Sequence, residues 1–246
     1  MDDDRFQPLS DEEREQGDPA GESAKDDDWD LIVPVPDTVP DPDMHHWILG
    51  KPAASWQSTS QRPTLLVTMG GSDPHELTIK CARALSKREP AFRARFVIGP
   101  GIGNPTQLAR AIVGLASNFE TLEGADGLAT EFASCDVALA AFGVTAYELA
   151  AYGVPAIYLC LDEDQALSAT AFESAGIGRS LGLASAVSEE EIADAALGLL
   201  SDPARRRDMR ATGLSTVDGE GASRVAADLA RHLAHRRAVA GWRARL

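Results

Sequence analysis

"AAFGVTAYELAAYGVPAIYLC", residues 140–160, decides how this chain is read. An apolar run ends at Phe142-Gly143-Val144-Thr145, an amphipathic helical segment follows, and Gly153-Val154-Pro155 leads into a second apolar run. Strand, helix and strand in so short a span is a βαβ unit, and strands apolar along their whole length belong in a parallel sheet covered on both faces. One acid stands in the helix, Glu148, a turn beyond Gly143. It is either a surface carboxylate complementing the positive helix end or a ligand for something delivered to the turn. Its position alone favours neither.

The same alternation extends in both directions. TLLVTM (64–69) is a β-rich run followed by GGSDP and a helix to about Ser86. ARFVIGP, FETLEG, DVALAAF, PAIYLC and GRSLG read as strands, with helices in TQLARAIVGLA, DGLATEFASC, 164–175, 188–200, 203–212 and 220–240. Continuous apolar strands separated by helices, joined by right-handed crossovers, make an α/β, doubly wound, Rossmann-like domain, expected over 63–246. Residues 1–28 are rich in Asp, Glu, Gly, Ser and Pro and read as a disordered acidic tail. Residues 29–62, with WDLIVPVPD and prolines at 34, 36, 40 and 42, read as an extended linker with a remnant strand.

Charge follows this division. The net charge is −15, but residues 1–43 hold 16 acids against 3 basic residues, so the rest carries −2. Residues 203–246 hold 10 arginines against 4 acids, yet lack interleaved aromatics, which argues against nucleic-acid binding. The last helix is expected to pack its Leu and Val stripe on the domain and leave its arginines solvated. Membrane association is expected only through a partner, since no apolar run approaches the roughly 20 residues of a bilayer span. The acidic start is unlike a signal peptide, and Cys81, Cys135 and Cys160 lack zinc or redox spacing; both suit buried thiols in a cytoplasmic protein.

In a doubly wound sheet, ligands bind beyond the carboxyl ends of the strands, and two loops compete there. In MGGSDPHEL, Gly70 and Gly71 permit a tight turn and close ligand approach. Asp73 is expected to cap the next helix, with Pro74 at its first position and Glu76 closing a capping box. A serine-hydrolase elbow is disfavoured because Pro74 stands where its last glycine is needed. In FGVTAYE, Gly143, Val144 and Thr145 open a helix whose free N–H groups can accept a diphosphate, with Glu148 placed for a ribose diol. LDEDQ adds Asp162, Glu163, Asp164 and Gln165; acids there commonly cap, while the Gln165 amide suits a sugar hydroxyl. GPGIGN (99–104) lacks dinucleotide spacing, and a Walker A lysine motif is absent.

Taken in order, LLVTMGGSDPHELTIKCARAL, FVIGPG, CDVALAAFGVTAYELAAYGVPAIYL, DEDQALSATAFESAGI and VDGEGASRVA resemble the C-terminal, nucleotide-binding half of GT-B glycosyltransferase-fold proteins. The resemblance is to UDP-sugar hydrolases of pseudaminic-acid and spore-coat polysaccharide biosynthesis, relatives of the lipid II N-acetylglucosaminyltransferase, and covers about residues 60–235. It implies a UDP-sugar ligand, no cofactor and no metal. Glu148 would hold the ribose hydroxyls, Gly143, Val144 and Thr145 the diphosphate, Gly71 and Ser72 the phosphates and sugar. Asp164 and Gln165 would lie near the sugar, and Leu122 near the loop that reads uracil. The family's preceding domain, which carries its histidine base, is not matched. His75 is the substitute candidate, against a structural role in the helix's first turn.

Three expectations follow from this resemblance. The chain is the donor-binding half of a split enzyme whose partner supplies the other domain, or a non-catalytic nucleotide-sugar binding or regulatory protein, or a fold with an empty site.

Overall fold

The computed structural model describes residues 62–88, 91–123 and 128–243. The acidic tail, the linker, His45 and His46 lie outside the described residues.

Among the described residues, six strands form one parallel sheet: β1 (Thr64–Thr68), β2 (Arg93–Ile98), β3 (Phe119–Glu123), β4 (Val137–Ala141), β5 (Ala156–Cys160) and β6 (Gly178–Leu183). Their order is β3-β2-β1-β4-β5-β6. Every neighbouring pair is parallel, with Leu66 opposite Arg95 on one side and Ala138 on the other. β1 and β5 are buried at every position, as strands with helices on both faces must be. The order reverses between β1 and β4, so their chain connections leave in opposite directions and open a crevice at the carboxyl edge. At the opposite edge Asp136 stitches the two strands: its carboxylate accepts from Thr64 N–H and its own N–H donates to Thr64 C=O, both at 2.8 Å.

Eight helices complete the described fold: α1 (Leu77–Ser86), α2 (Pro105–Val113), α3 (Ala129–Ser134), α4 (Val144–Tyr152), α5 (Glu163–Ser174), α6 (Glu189–Ser201), α7 (Pro203–Thr216) and α8 (Gly221–Arg243). One face of the sheet buries Leu65, Val67, Phe96, Leu139, Ile157 and Leu159 against α1, α2 and α6. The other buries Leu66, Ala138, Ala140 and Tyr158 against α3, α4 and α5. Each fully buried Leu, Val or Phe side chain contributes about 1.5–3 kcal/mol, so the two faces together supply the main driving force. Lys80 of α1 donates to the carbonyls of Ala184 and Val187 at 2.7 and 2.6 Å, tying that helix to the turn after β6. Cys81, Cys135 and Cys160 are buried free thiols.

Two local expectations need correction. α4 is not amphipathic: Ala146, Tyr147, Leu149, Ala150 and Ala151 are all buried. Its outer side is covered by α7, where Gly213 lies so close that an added methyl would stand 3.0 Å from Ala150 C=O. Arg210 of the same helix donates to the carbonyls of Tyr152 and Gly153, closing the α4 C-terminus. Along α8, Gly221 is buried, Arg224, Val225 and Asp228 are half-buried and Leu229 is 60% exposed; the Leu and Val stripe expected to pack, beyond residue 232, lies outside the side chains described. α1 begins at Leu77 rather than Pro74, because Glu76 adopts a left-handed conformation (φ 53°) that a helix cannot continue through.

Candidate functional site

The crevice between β1 and β4 is flanked by the two loops that competed in the sequence, and their helix ends differ. After β1, the Asp73 carboxylate accepts from Leu77 N–H and Thr78 N–H, each at 2.8 Å. Asp73 is buried and itself left-handed (φ 43°), and its C=O accepts from Glu76 N–H at 3.1 Å. The cap is therefore real, but residues 73–76 form a tight turn in place of the expected capping box. An anion brought to the α1 N-terminus would meet the Asp73 carboxylate in its way.

After β4 the helix end is open. Gly143 is the N-cap of α4, no side chain caps that end, and its first turn holds no acid. Oriented N–H groups and the positive end of the helix dipole therefore face the crevice without a built-in counter-charge. A methyl placed on Gly70, Gly71 or Gly143 would meet nothing within 4 Å, so the backbone on both sides borders open space. Glu148 is half-buried one turn in, and the Thr145 hydroxyl donates to its carboxylate. Burial raises the Glu148 pKa above the usual carboxylate value, and the Thr145 bond opposes part of that rise.

The open end stands on an aromatic platform. Phe142, immediately before Gly143, packs edge-to-face on Tyr158 (5.3 Å between centroids) and Phe172 (5.2 Å). Tyr147 packs on Phe172 at 4.8 Å, and burial pushes its phenol up to about 12. Tyr158 is fully buried and its hydroxyl donates to Ala146 C=O at 3.5 Å. Such pairs add about 0.5–1.5 kcal/mol each beyond burial and fix the loop's height above the sheet. Sequence reading missed this platform; its signal was four aromatics on adjoining elements in a chain with only 6% aromatic residues.

The remaining candidates occupy the same carboxyl edge at increasing distance from the crevice. Gly71 and Ser72 are exposed on the β1 loop, and His75 is exposed in the turn beyond them. Gln165 follows β5: Asp162 accepts from its N–H at 2.8 Å, and its own side-chain oxygen accepts from Leu161 N–H at 2.9 Å. Its amide NH2 is thereby left as the donor. Asp164 is exposed in the first turn of α5. Leu122 stands opposite Val97 on β3, two strands from the crevice, and half-buried. The structure thus gathers Gly71, Ser72, Gly143, Val144, Thr145 and Glu148 around one crevice, with Asp164 and Gln165 beside it and Leu122 at the sheet margin. A depression of about 140 Å3 lined by Arg179, Gly198, Leu199, Asp202 and Arg205 opens at the other end of the sheet, away from this crevice.

A six-stranded parallel sheet in this order, wound by helices on both faces, is the Rossmann-like domain of GT-B glycosyltransferase-type folds. No family model matches the sequence. The chain is 29% identical over 166 residues to the spore coat polysaccharide biosynthesis protein SpsG of Bacillus subtilis (strain 168). That alignment covers 67% of this chain and 49% of SpsG, so the chain matches about half the length of its relative. Among solved structures, MurG of Acinetobacter baumannii superposes with a TM-score of 0.58 at 17% identity, over 74% of this chain and 55% of MurG. MnaA of S. aureus, solved with UDP, superposes with a TM-score of 0.55 at 14% identity, over 70% of this chain and 46% of MnaA. Among the described residues, no helix is long and apolar enough to cross a membrane.

Proposed function

We propose that this chain is the UDP-sugar-binding half of a GT-B type enzyme, a nucleotide-sugar hydrolase or glycosyltransferase, that reaches full activity with a partner chain completing the cleft. The observation that carries the reading is the uncapped N-terminus of α4 with the half-buried Glu148 one turn inside it, at the point where the strand order reverses. The likeness to a polysaccharide-biosynthesis protein and to structures solved with UDP and with thymidine diphosphate supports a nucleoside diphosphate ligand, and uridine is the base this reading assigns.

In this reading the diphosphate sits on the N–H groups of Gly143, Val144 and Thr145, and Glu148 accepts from both ribose hydroxyls. Gly71 and Ser72 border the phosphates and sugar, the Gln165 NH2 donates to a sugar oxygen, and Asp164 stands beside it. Leu122 borders the uracil loop. As the bond from the anomeric carbon to the diphosphate breaks, negative charge grows on the departing oxygen, and the fixed N–H dipoles stabilise it. A half-cleft neither excludes water nor orients an acceptor, which is the work left to the partner. Val144 and Leu167, 64% and 62% exposed at this edge, are apolar surface that a partner domain would cover.

The test is thermal unfolding of the purified chain with UDP, UDP-N-acetylglucosamine, GDP, ADP and CMP. A ligand at 100 times its dissociation constant adds about 2.7 kcal/mol, which shifts the midpoint of a domain this size by roughly 5–10 °C. The proposal requires that shift with the uridine compounds and its loss in Glu148→Ala. Equal shifts with all five nucleotides would reject uridine selectivity, and no shift with any would reject the site in the isolated chain.

A further inference from the structure

The glycine-rich segment 99–104 has no place in the binding scheme above, and its geometry gives it one. β2 ends at the buried Ile98, and Gly99 then passes directly beneath the loop that follows β1. A methyl on Gly99 would stand 2.3 Å from Gly71 C=O oxygen and 2.6 Å from Gly70 C=O oxygen, distances that no side-chain carbon tolerates. Gly101 N–H donates to the same Gly71 oxygen at 2.8 Å, and a methyl on Gly101 would lie 3.1 Å from it and 3.2 Å from Ser72 Cβ. On the far side the loop is held by the double bond of Asp73 to the start of α1. Gly103, in the same segment, differs: a methyl there would meet nothing within 4 Å.

We propose that Gly99 and Gly101 are positioning residues that set the height of Gly71 and Ser72 at the phosphate and sugar end of the crevice. The proposal rests on the UDP-sugar reading for its functional consequence and on the backbone contact alone for its structural one. β2 cannot yield to an added methyl, because it is hydrogen-bonded between β1 and β3 with Phe96, Val97 and Ile98 buried. The Gly70–Gly71 segment can yield, since its outer side borders open space. The Gly99→Ala variant therefore pushes that segment outward, into the volume the sugar diphosphate would occupy. The ribose end, at Glu148 on α4, belongs to a different element and stays in place.

Two measurements decide it. Uridine and UDP-N-acetylglucosamine are titrated against wild type, Gly99→Ala and Gly103→Ala, and amide hydrogen exchange is followed in each ligand-free protein. Gly99→Ala is expected to weaken the sugar nucleotide by roughly 10- to 100-fold while leaving uridine unchanged, the split that displaces one loop and not the fold. Gly103→Ala is expected to match wild type for both. In Gly99→Ala the Gly101 amide loses its protection while the β2 amides keep theirs. Equal loss of both ligands, or unchanged binding with Gly101 still protected, overturns the proposal. If wild type binds neither uridine compound, the UDP-sugar reading fails by itself, and Gly101 exchange still decides the contact between the two loops.

Discussion

Two helix N-termini face the same crevice and are finished in opposite ways. At α1 a buried carboxylate, Asp73, occupies the free N–H groups and neutralises the positive end from inside the chain. At α4 the N-cap is Gly143, with no side chain over it and no acid in the first turn. α2, α5, α6 and α7 are also closed, by Asn104, Asp162, Ser188 and Asp202. Of the described helices flanking the sheet, only α4 and the short α3 lack a side-chain cap, and α4 stands at the strand-order reversal, which is why the proposed reading gives that end a ligand's charge. In the proposed reading, the same contrast sets GGSDP aside as a second phosphate site. In that reading it presents Gly71 and Ser72 from the side.

Breaking the open end from below has the largest expected effect. Phe142→Ala removes the ring that packs on Tyr158 and Phe172 and should cost about 3–5 kcal/mol in denaturant unfolding, with any nucleotide response lost as well. Breaking the closed end comes next. Asp73→Ala leaves the N–H groups of Leu77 and Thr78 without their acceptor and should cost about 1–3 kcal/mol. The displaced turn should also impair sugar-nucleotide binding more than uridine binding.

Glu148→Gln has a smaller effect, and its sign depends on pH. Burial raises the Glu148 pKa in the folded state, so the folded chain binds this proton more tightly than the unfolded chain. Stability contributed by this group therefore falls as pH climbs through the raised pKa. Without ligand, Glu148→Gln should have a higher unfolding midpoint than wild type at neutral pH, with the difference closing as the pH drops below that pKa. With UDP present the order should reverse, because the amide replaces one of the two acceptor oxygens facing the ribose hydroxyls with an NH2 donor and carries no charge. For wild type, UDP binding should begin to weaken on acidification at a pH above that of an ordinary glutamate.

The centre of the sheet was legible because β1, β4 and β5 are nearly continuous apolar runs punctuated by Gly, Pro or Asp, and local composition suffices for that. Features set by distant elements were not. α4 reads as amphipathic until α7 covers its outer side with Gly213 and Arg210. The capping box at Asp73-Glu76 fits the residue types, but the left-handed φ of Glu76 moves the helix start by three residues, and no local pattern announces it. GPGIGN resembles a poor nucleotide motif in sequence; its meaning lies in two contacts with Gly70 and Gly71, about thirty positions earlier. For the site, Gly143, Val144, Thr145 and Glu148 were readable as a strand-to-helix turn with one acid. That α4 alone of the two competing ends is bare became visible only once the Asp73 bonds were seen.

The most direct test is to close the open end. Gly143→Asp places a carboxylate where Asp73 stands at α1, at an extended backbone position with free space for the side chain. The account predicts that the ligand-free protein gains about 0.3–1 kcal/mol from an acid at the helix N-terminus, while titration with UDP gives heat with wild type and no detectable heat with the variant. If Gly143→Asp binds UDP as wild type does, the diphosphate does not sit on α4 and the central claim fails.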